Sequence, residues 1–195
     1  MKIGLLGIAA AVLSIGLCSQ VSAQLKPFEF DTSYGWNLWK SPDGRFQVSL
    51  PSTPTEDART NNLPAGGQMT SHIFTCIRPA GNYSISYGDL PSKEMAREPV
   101  NSRLDRVAQG MANGVHGRVL SQKSLVIEGH PARDAVISAT FSSHTIYLYT
   151  RAIFVGNRFY QMGQGTENSL EPRNQRFFQS FHVIAARHRS PANGR

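Results

Sequence analysis

The stretch from Thr145 to Gln164 constrains the fold more than any other. One arm, Thr145-Ile146-Tyr147-Leu148-Tyr149-Thr150-Arg151-Ala152-Ile153-Phe154-Val155, is rich in β-branched and aromatic residues, and so is its continuation, Arg158-Phe159-Tyr160-Gln161-Met162-Gly163-Gln164. Such side chains fit a pleated, half-buried surface. Only Gly156-Asn157 separates the arms, and a two-residue Gly-Asn connection suits the primed turns of tight hairpins. The sequence therefore predicts an antiparallel hairpin with φ > 0 at Gly156. Packing accounts for its aromatic residues, so the hairpin is read as architecture rather than as a site. It is expected to close the sheet. A polar segment follows, helix-compatible from about Leu170 or Pro172 to Ser180. It ends in Phe177-Phe178-Gln179-Ser180-Phe181, which should pack nearby.

Earlier in the chain, Ser41-Pro42-Asp43-Gly44 is a turn, because Pro sets φ at its second position and Gly admits the backbone that follows. Phe46, Val48 and Leu50 alternate with polar residues and define one face of a strand. Ser52 to Gly67 is polar and rich in Pro, Thr and Asn, and is expected to be a long surface loop. Gln68 to Arg78 and Tyr83 to Tyr87 read as strands around a Pro79-Ala80-Gly81-Asn82 turn. Val100 to Val115 reads as a helix burying Leu104, Val107, Ala108 and Met111. Asn101 or Ser102 would cap its start, Arg103 and Arg106 would face water, and Gly114 and Gly117 would mark its end. Two more strands, Arg118 to Ile127 and Ala132 to Phe141, are joined by Glu128-Gly129-His130-Pro131, and His182-Val183-Ile184 closes the fold. Strands, helix, strands, helix predict an α+β domain: an antiparallel β-sheet with about two helices packed on it. The single domain spans 35–184, after a flexible 24–34 segment and before a disordered basic tail, 185–195.

The first residues read as an export signal. Lys2 is the only charge before Lys26, Ile3 to Leu17 is apolar, and Val21-Ser22-Ala23 supplies the small residues of a cleavage site between Ala23 and Gln24. The apolar run is short for a bilayer-spanning helix, which needs about 20 residues. Lipid attachment at Cys18 is disfavoured because Leu17 precedes it. Cleavage of residues 1–23 from the 195-residue chain leaves 172 residues and lowers the net charge from +7 to +6. It also leaves Cys76 as the sole cysteine, so the domain must be stabilised by its core without a disulfide. Within Ile73-Phe74-Thr75-Cys76-Ile77, Cys76 reads as a small buried strand residue.

Four blocks in order carry a family resemblance. Ser41-Pro42-Asp43-Gly44-Arg45-Phe46 leads into Val48-Ser49-Leu50-Pro51. Glu128-Gly129-His130-Pro131-Ala132-Arg133, Phe154-Val155-Gly156-Asn157-Arg158-Phe159-Tyr160-Gln161, and Phe177-Phe178-Gln179-Ser180-Phe181 follow. Together they resemble exported bacterial domains of the PsbP-like family. The resemblance implies a PsbP-like sandwich of antiparallel sheet and helices, in a class that includes an extrinsic subunit of the oxygen-evolving complex and several protein-binding or assembly factors. The blocks consist of turn and core residues. They carry no catalytic or ligand residue, and a photosystem role does not follow from them.

Catalytic and metal motifs are missing from the sequence. His72, His116, His130, His144, His182 and His188 do not have the spacing of a zinc site. Glu128 and His130 would share a face on a strand, but Gly129 and Pro131 favour a turn. There is no Gly-x-Ser-x-Gly elbow, and Gly163-Gln164-Gly165 lacks the rest of a dinucleotide fingerprint. No catalytic, cofactor or metal residue is assigned. Arg173, Arg176, Arg187, Arg189 and Arg195 make the C-terminal region basic. Export separates this region from nucleic acid and leaves weak contact with anionic surfaces as its electrostatic role. The expected function is a non-catalytic, exported domain that binds a protein partner or assembles an envelope complex. Its rivals are a small apolar-ligand carrier with a pocket near Tyr147, Tyr149 and Tyr160, and a hydrolase with an unrecognised site.

Overall fold

A computed structural model describes residues 35–63, 66–78, 81–141, 143–167 and 175–184. The expected export signal, the expected flexible 24–34 segment, the expected 185–195 tail and the expected helix start at Leu170 or Pro172 lie outside the described residues. The elements are β1 (Asn37–Lys40), β2 (Phe46–Leu50), β3 (Thr55–Asn62), β4 (Gln68–Arg78), β5 (Gly81–Asp89), α1 (Ser92–Met95), α2 (Val100–Gly114), β6 (Arg118–Ile127), β7 (His130–Phe141), β8 (His144–Val155), β9 (Arg158–Thr166), α3 (Gln175–Gln179) and β10 (His182–Val183).

Strands take 59% of the described residues, in two antiparallel sheets, which corrects the expected α+β fold with two packed helices. Of three helices, α1 and α3 are about one turn each, and only α2 is long enough to cover a sheet. Part of the discrepancy is β3. The expected loop there is instead a strand in register with β4 from Thr55↔Thr75 to Asn62↔Gln68. Its side chains are mostly exposed, so no apolar alternation announces it, and main-chain pairing rather than burial specifies the strand.

The large sheet has the order β3-β4-β5-β9-β8-β7-β6, and the small one β1-β2-β10. The Thr145–Gln164 hairpin is real, with Val155 opposite Arg158. It forms the middle of the large sheet rather than its closing edge, because β5 pairs along the outer side of β9. The central strands are buried on both faces. α2 packs Leu104, Val107 and Met111 against Ile137, Leu148, Ala152, Phe154 and Phe159. On the opposite face, Phe46, Val48 and Leu50 of β2 and Phe177, Phe178 and Phe181 cover Phe74, Ile85, Ile153, Tyr160 and Met162. Burial of each such side chain contributes about 1.5–3 kcal/mol. Cys76 belongs to this second core, where its thiol donates to the Ser52 carbonyl.

Both ends of α2 depart from the simplest reading. Its N-cap is Pro99, in an extended conformation (ψ 146 at the preceding helix's Pro91, 145 here) with no side-chain cap, so Asn101 and Ser102 lie inside the helix. Arg103, expected in water, is 2% exposed. α1 and the following turn fold over it, so that Arg103 donates to the Glu94 carbonyl at 2.8 Å and lies near the carboxylates of Glu94 and Glu98. Burial lowers the Arg103 pKa, against the opposing pull of Glu94. At the C-terminus, His116 N donates to Asn113 O and Gly117 N to Ala112 O. With His116 at φ 52, this is a Schellman closure. Gly117 then runs so close to β7 that an added Cβ would overlap the Ser138 carbonyl oxygen.

Candidate functional site

The strongest charge constellation sits where the β8–β9 turn meets the small sheet. Arg158, the first residue of β9, is 6% exposed. Its Nε and Nη2 donate to the two oxygens of Asp89 at 2.7 and 2.6 Å, and its Nη1 donates to Asp43 in the β1–β2 turn. The guanidinium lies 4.5 Å from the centre of the Tyr87 ring, and His72 stacks on that ring at 4.9 Å. Ser41 Oγ and Arg45 N also donate to Asp43. Asp43, His72, Tyr87, Asp89 and Arg158 line a cleft of about 380 Å³ with Arg45, Gln68, Met69 and Thr70.

Partial burial pushes the Asp43 carboxyl up, but hydrogen bonds from Arg158, Ser41 and Arg45 outweigh it and hold the pKa below the ordinary value. Hydrogen bonding to Arg158 likewise lowers Asp89. Burial would lower Arg158, yet its two carboxylate partners raise it above the normal arginine value. Burial raises both Tyr87 and Tyr160. All these shifts hold each group in its ordinary charge state at neutral pH. The constellation ties the small sheet, β5 and the central hairpin together.

The second candidate is the outer edge of the large sheet. Among the described residues β6 pairs with β7 alone, so its other side presents main-chain groups that no described strand pairs. It exposes Leu120 to 46% and Val126 to 68%, and its ladder shifts register between Val119 and Ser121. At its start lies a groove of about 400 Å³ lined by residues including His116, Arg118, Leu120, Ser138 and Tyr147. The opposite edge, β3, is polar apart from Ala58 and carries Glu56, Asp57 and Arg59. The two edges thus differ in chemistry: β3 carries acids beside its one arginine, whereas β6 carries no acid and exposes Leu120 and Val126.

The residues weighed from sequence fall as follows. Glu128 and His130 flank the β6–β7 turn, with Glu128 at φ 49. The Glu128 carboxylate is engaged elsewhere, 2.6 Å from His182 Nδ1 and accepting from Val183 N at 2.9 Å, which ties the β6–β7 turn to β10. Tyr160 is buried among the rings of Phe46, Tyr87 and Phe181, Tyr149 packs at the edge of the same core, and Tyr147 lines the groove at the start of β6. Of the basic C-terminal arginines, Arg176 alone is described. It lies over Trp36 at 5.9 Å and donates to its carbonyl. Arg173, Arg187, Arg189 and Arg195 lie outside the described residues. Among the described residues, no three His, Cys, Asp or Glu side chains gather as a metal site, and no helix is long and apolar enough to cross a membrane.

Sequence reasoning missed the Arg158 constellation because its partners lie 69 and 115 positions away, and no local spacing signals them. It also recognised β6 as a strand without placing it at an edge.

This arrangement of a seven-stranded sheet under one long helix and a small second sheet is a PsbP-like fold. The solution structure of cyanobacterial PsbP (CyanoP) from Synechocystis sp. PCC 6803 matches it with a TM-score of 0.51 at 8% identity, covering 82% of this chain and 99% of that one. A crystal structure of a protein of unknown function from Pseudomonas aeruginosa aligns with a TM-score of 0.39 at 14% identity, over 67% of this chain and 82% of that one. No protein-family model and no curated protein sequence matches the chain.

Proposed function

We infer that this chain is an exported, non-catalytic domain that binds a protein partner of the cell envelope, or helps to assemble an envelope complex. The observation that carries this reading is β6. An edge strand with unpaired main-chain groups and exposed Leu120 and Val126 is a surface that extended partner segments use for strand addition. The Arg158 cleft supports the non-catalytic part, since Asp43, Asp89 and the buried guanidinium are bonded to one another. The N-terminal pattern of Lys2, the Ile3–Leu17 apolar run and Val21-Ser22-Ala23 supports export, and the PsbP-like resemblance adds a class in which assembly factors occur.

The test is affinity capture from an envelope extract, with the wild-type protein and a Val126→Asp variant scored side by side by mass spectrometry. A protein enriched by the wild type and lost with the variant is the expected result. Co-purification of a small molecule with no protein enriched would favour the carrier instead.

A further inference from the structure

β6 begins at a cationic corner. The closure of α2 places His116 in a left-handed conformation that Gly usually fills, and the close approach of Gly117 to β7 fixes the backbone between His116 and Arg118. His116 and Arg118 then line one end of the groove, with the hydroxyl groups of Ser138, Thr140 and Thr145. Among the described residues, no Asp or Glu lines that groove. Among the described residues, neither Arg118 nor Lys123 meets a carboxylate, and no acidic residue occurs between Arg118 and Ile127. The nearby acids are engaged elsewhere: Asp105 with Arg133, and Asp134 with Arg151.

The register aligns these cations. Arg118 opposes Ser138 and Lys123 opposes Asp134, and those partners are four apart on β7, so both cations lie on one face of the sheet. The irregularity at Leu120 is what allows an odd separation on β6 to keep the same side. Val126 opposes Pro131 and lies on the other face. A strand added beyond β6 would therefore meet positive charge on one face and an exposed apolar side chain on the other.

We propose that the β6 edge recognises an acidic extended segment of the partner protein, in which Asp or Glu alternates with apolar residues. Main-chain ladder bonds supply the docking, carboxylates meet Arg118, Lys123 and His116, and the alternate side chains cover Val126. This rests on the partner-binding reading and names the chemistry of the segment bound.

Selection of a random dodecapeptide library on the purified full chain tests it. Enriched sequences are expected to carry Asp or Glu at a two-residue period with apolar residues between. Binding should weaken at least tenfold between 50 and 500 mM salt, and amide exchange should slow at residues 118–127. The exposed pair Arg118→Glu with Lys123→Glu should switch the enriched charge to Lys and Arg, with the melting curve confirming the fold. If that pair does not fold, neutral Gln at both positions should abolish the acidic bias. No enrichment, an acidic bias that survives reversal, or protection outside β6 would overturn the proposal. So would self-association lost on charge reversal, which would assign the edge to β3 of a second copy, with its Glu56 and Asp57. If partner capture needs Val126 but not Arg118 and Lys123, acid recognition is wrong while the partner reading stands. If wild type captures no partner, that reading itself fails.

Discussion

Arg158 and Asp89 meet through two parallel hydrogen bonds, Nε to Oδ1 at 2.7 Å and Nη2 to Oδ2 at 2.6 Å. The pair joins the end of β5 to the start of β9, and the third guanidinium bond, to Asp43, adds the small sheet. Arg158→Ala should therefore loosen the attachment of the small sheet. The loss expected is about 2 kcal/mol, below the cost of breaking a fully buried pair because Asp89 remains substantially exposed. Urea unfolding of wild type and variant measures it.

The same network sets an acid limit. Asp43 and Asp89 have folded pKa values below 3.8, so their contribution is complete above the unfolded carboxylate range and is lost as pH falls through the lowered values. The melting-temperature gap between wild type and Arg158→Ala should be constant from about pH 5 to 8 and shrink below about pH 4. A gap that widened on acidification would contradict this sign.

Arg103 is the other buried cation with its acids at hand. Arg103→Ala would remove a buried cation from beside the Glu94 carboxylate, which is 2% exposed and also meets the half-exposed Arg97. A destabilisation of about 3 kcal/mol is expected, again from urea unfolding.

At the central turn, Gly156 has φ +60, and an added Cβ would meet no neighbour, so the cost of a substitution there is chiefly conformational. Positive φ at the first central residue alone is the type II′ pattern, and Asn157 fixes the turn by exchanging hydrogen bonds with Leu90. Gly156→Val should destabilise by about 1–2 kcal/mol. An unchanged melting temperature would contradict the strain argument.

Glu128 ties β10 to the β6–β7 turn through Val183 N and His182. Glu128→Ala should speed amide exchange at Val183 about tenfold while leaving the central strands unchanged. Equal exchange in both proteins would mean that pairing with β2 alone holds β10 in place.

Local pattern revealed the elements that bury an apolar face. β2, β8 and β9 alternate or run apolar, and α2 repeats Leu104, Val107 and Met111 on one side, so their existence and near-limits were legible. β3 was not, because a polar edge strand carries no burial signal. Position within the sheet was also hidden: the hairpin looked terminal because sequence shows that β8 meets β9 but not that β5 also does. Arg103 was misplaced for a related reason, since the periodicity of α2 could not show that α1 folds over its polar side. Candidate surfaces were the least legible. The Arg158 constellation joins residues far apart in the chain, and the edge position of β6 depends on the order of the whole sheet, so neither leaves a spacing in the chain.

The central claim is that β6 carries partner recognition, and amide hydrogen exchange of the captured complex tests it most directly. The account predicts slowed exchange across residues 118–127 on binding, with no change across residues 55–62 of the opposite edge. Protection confined to β3, or absent from both edges, would contradict it.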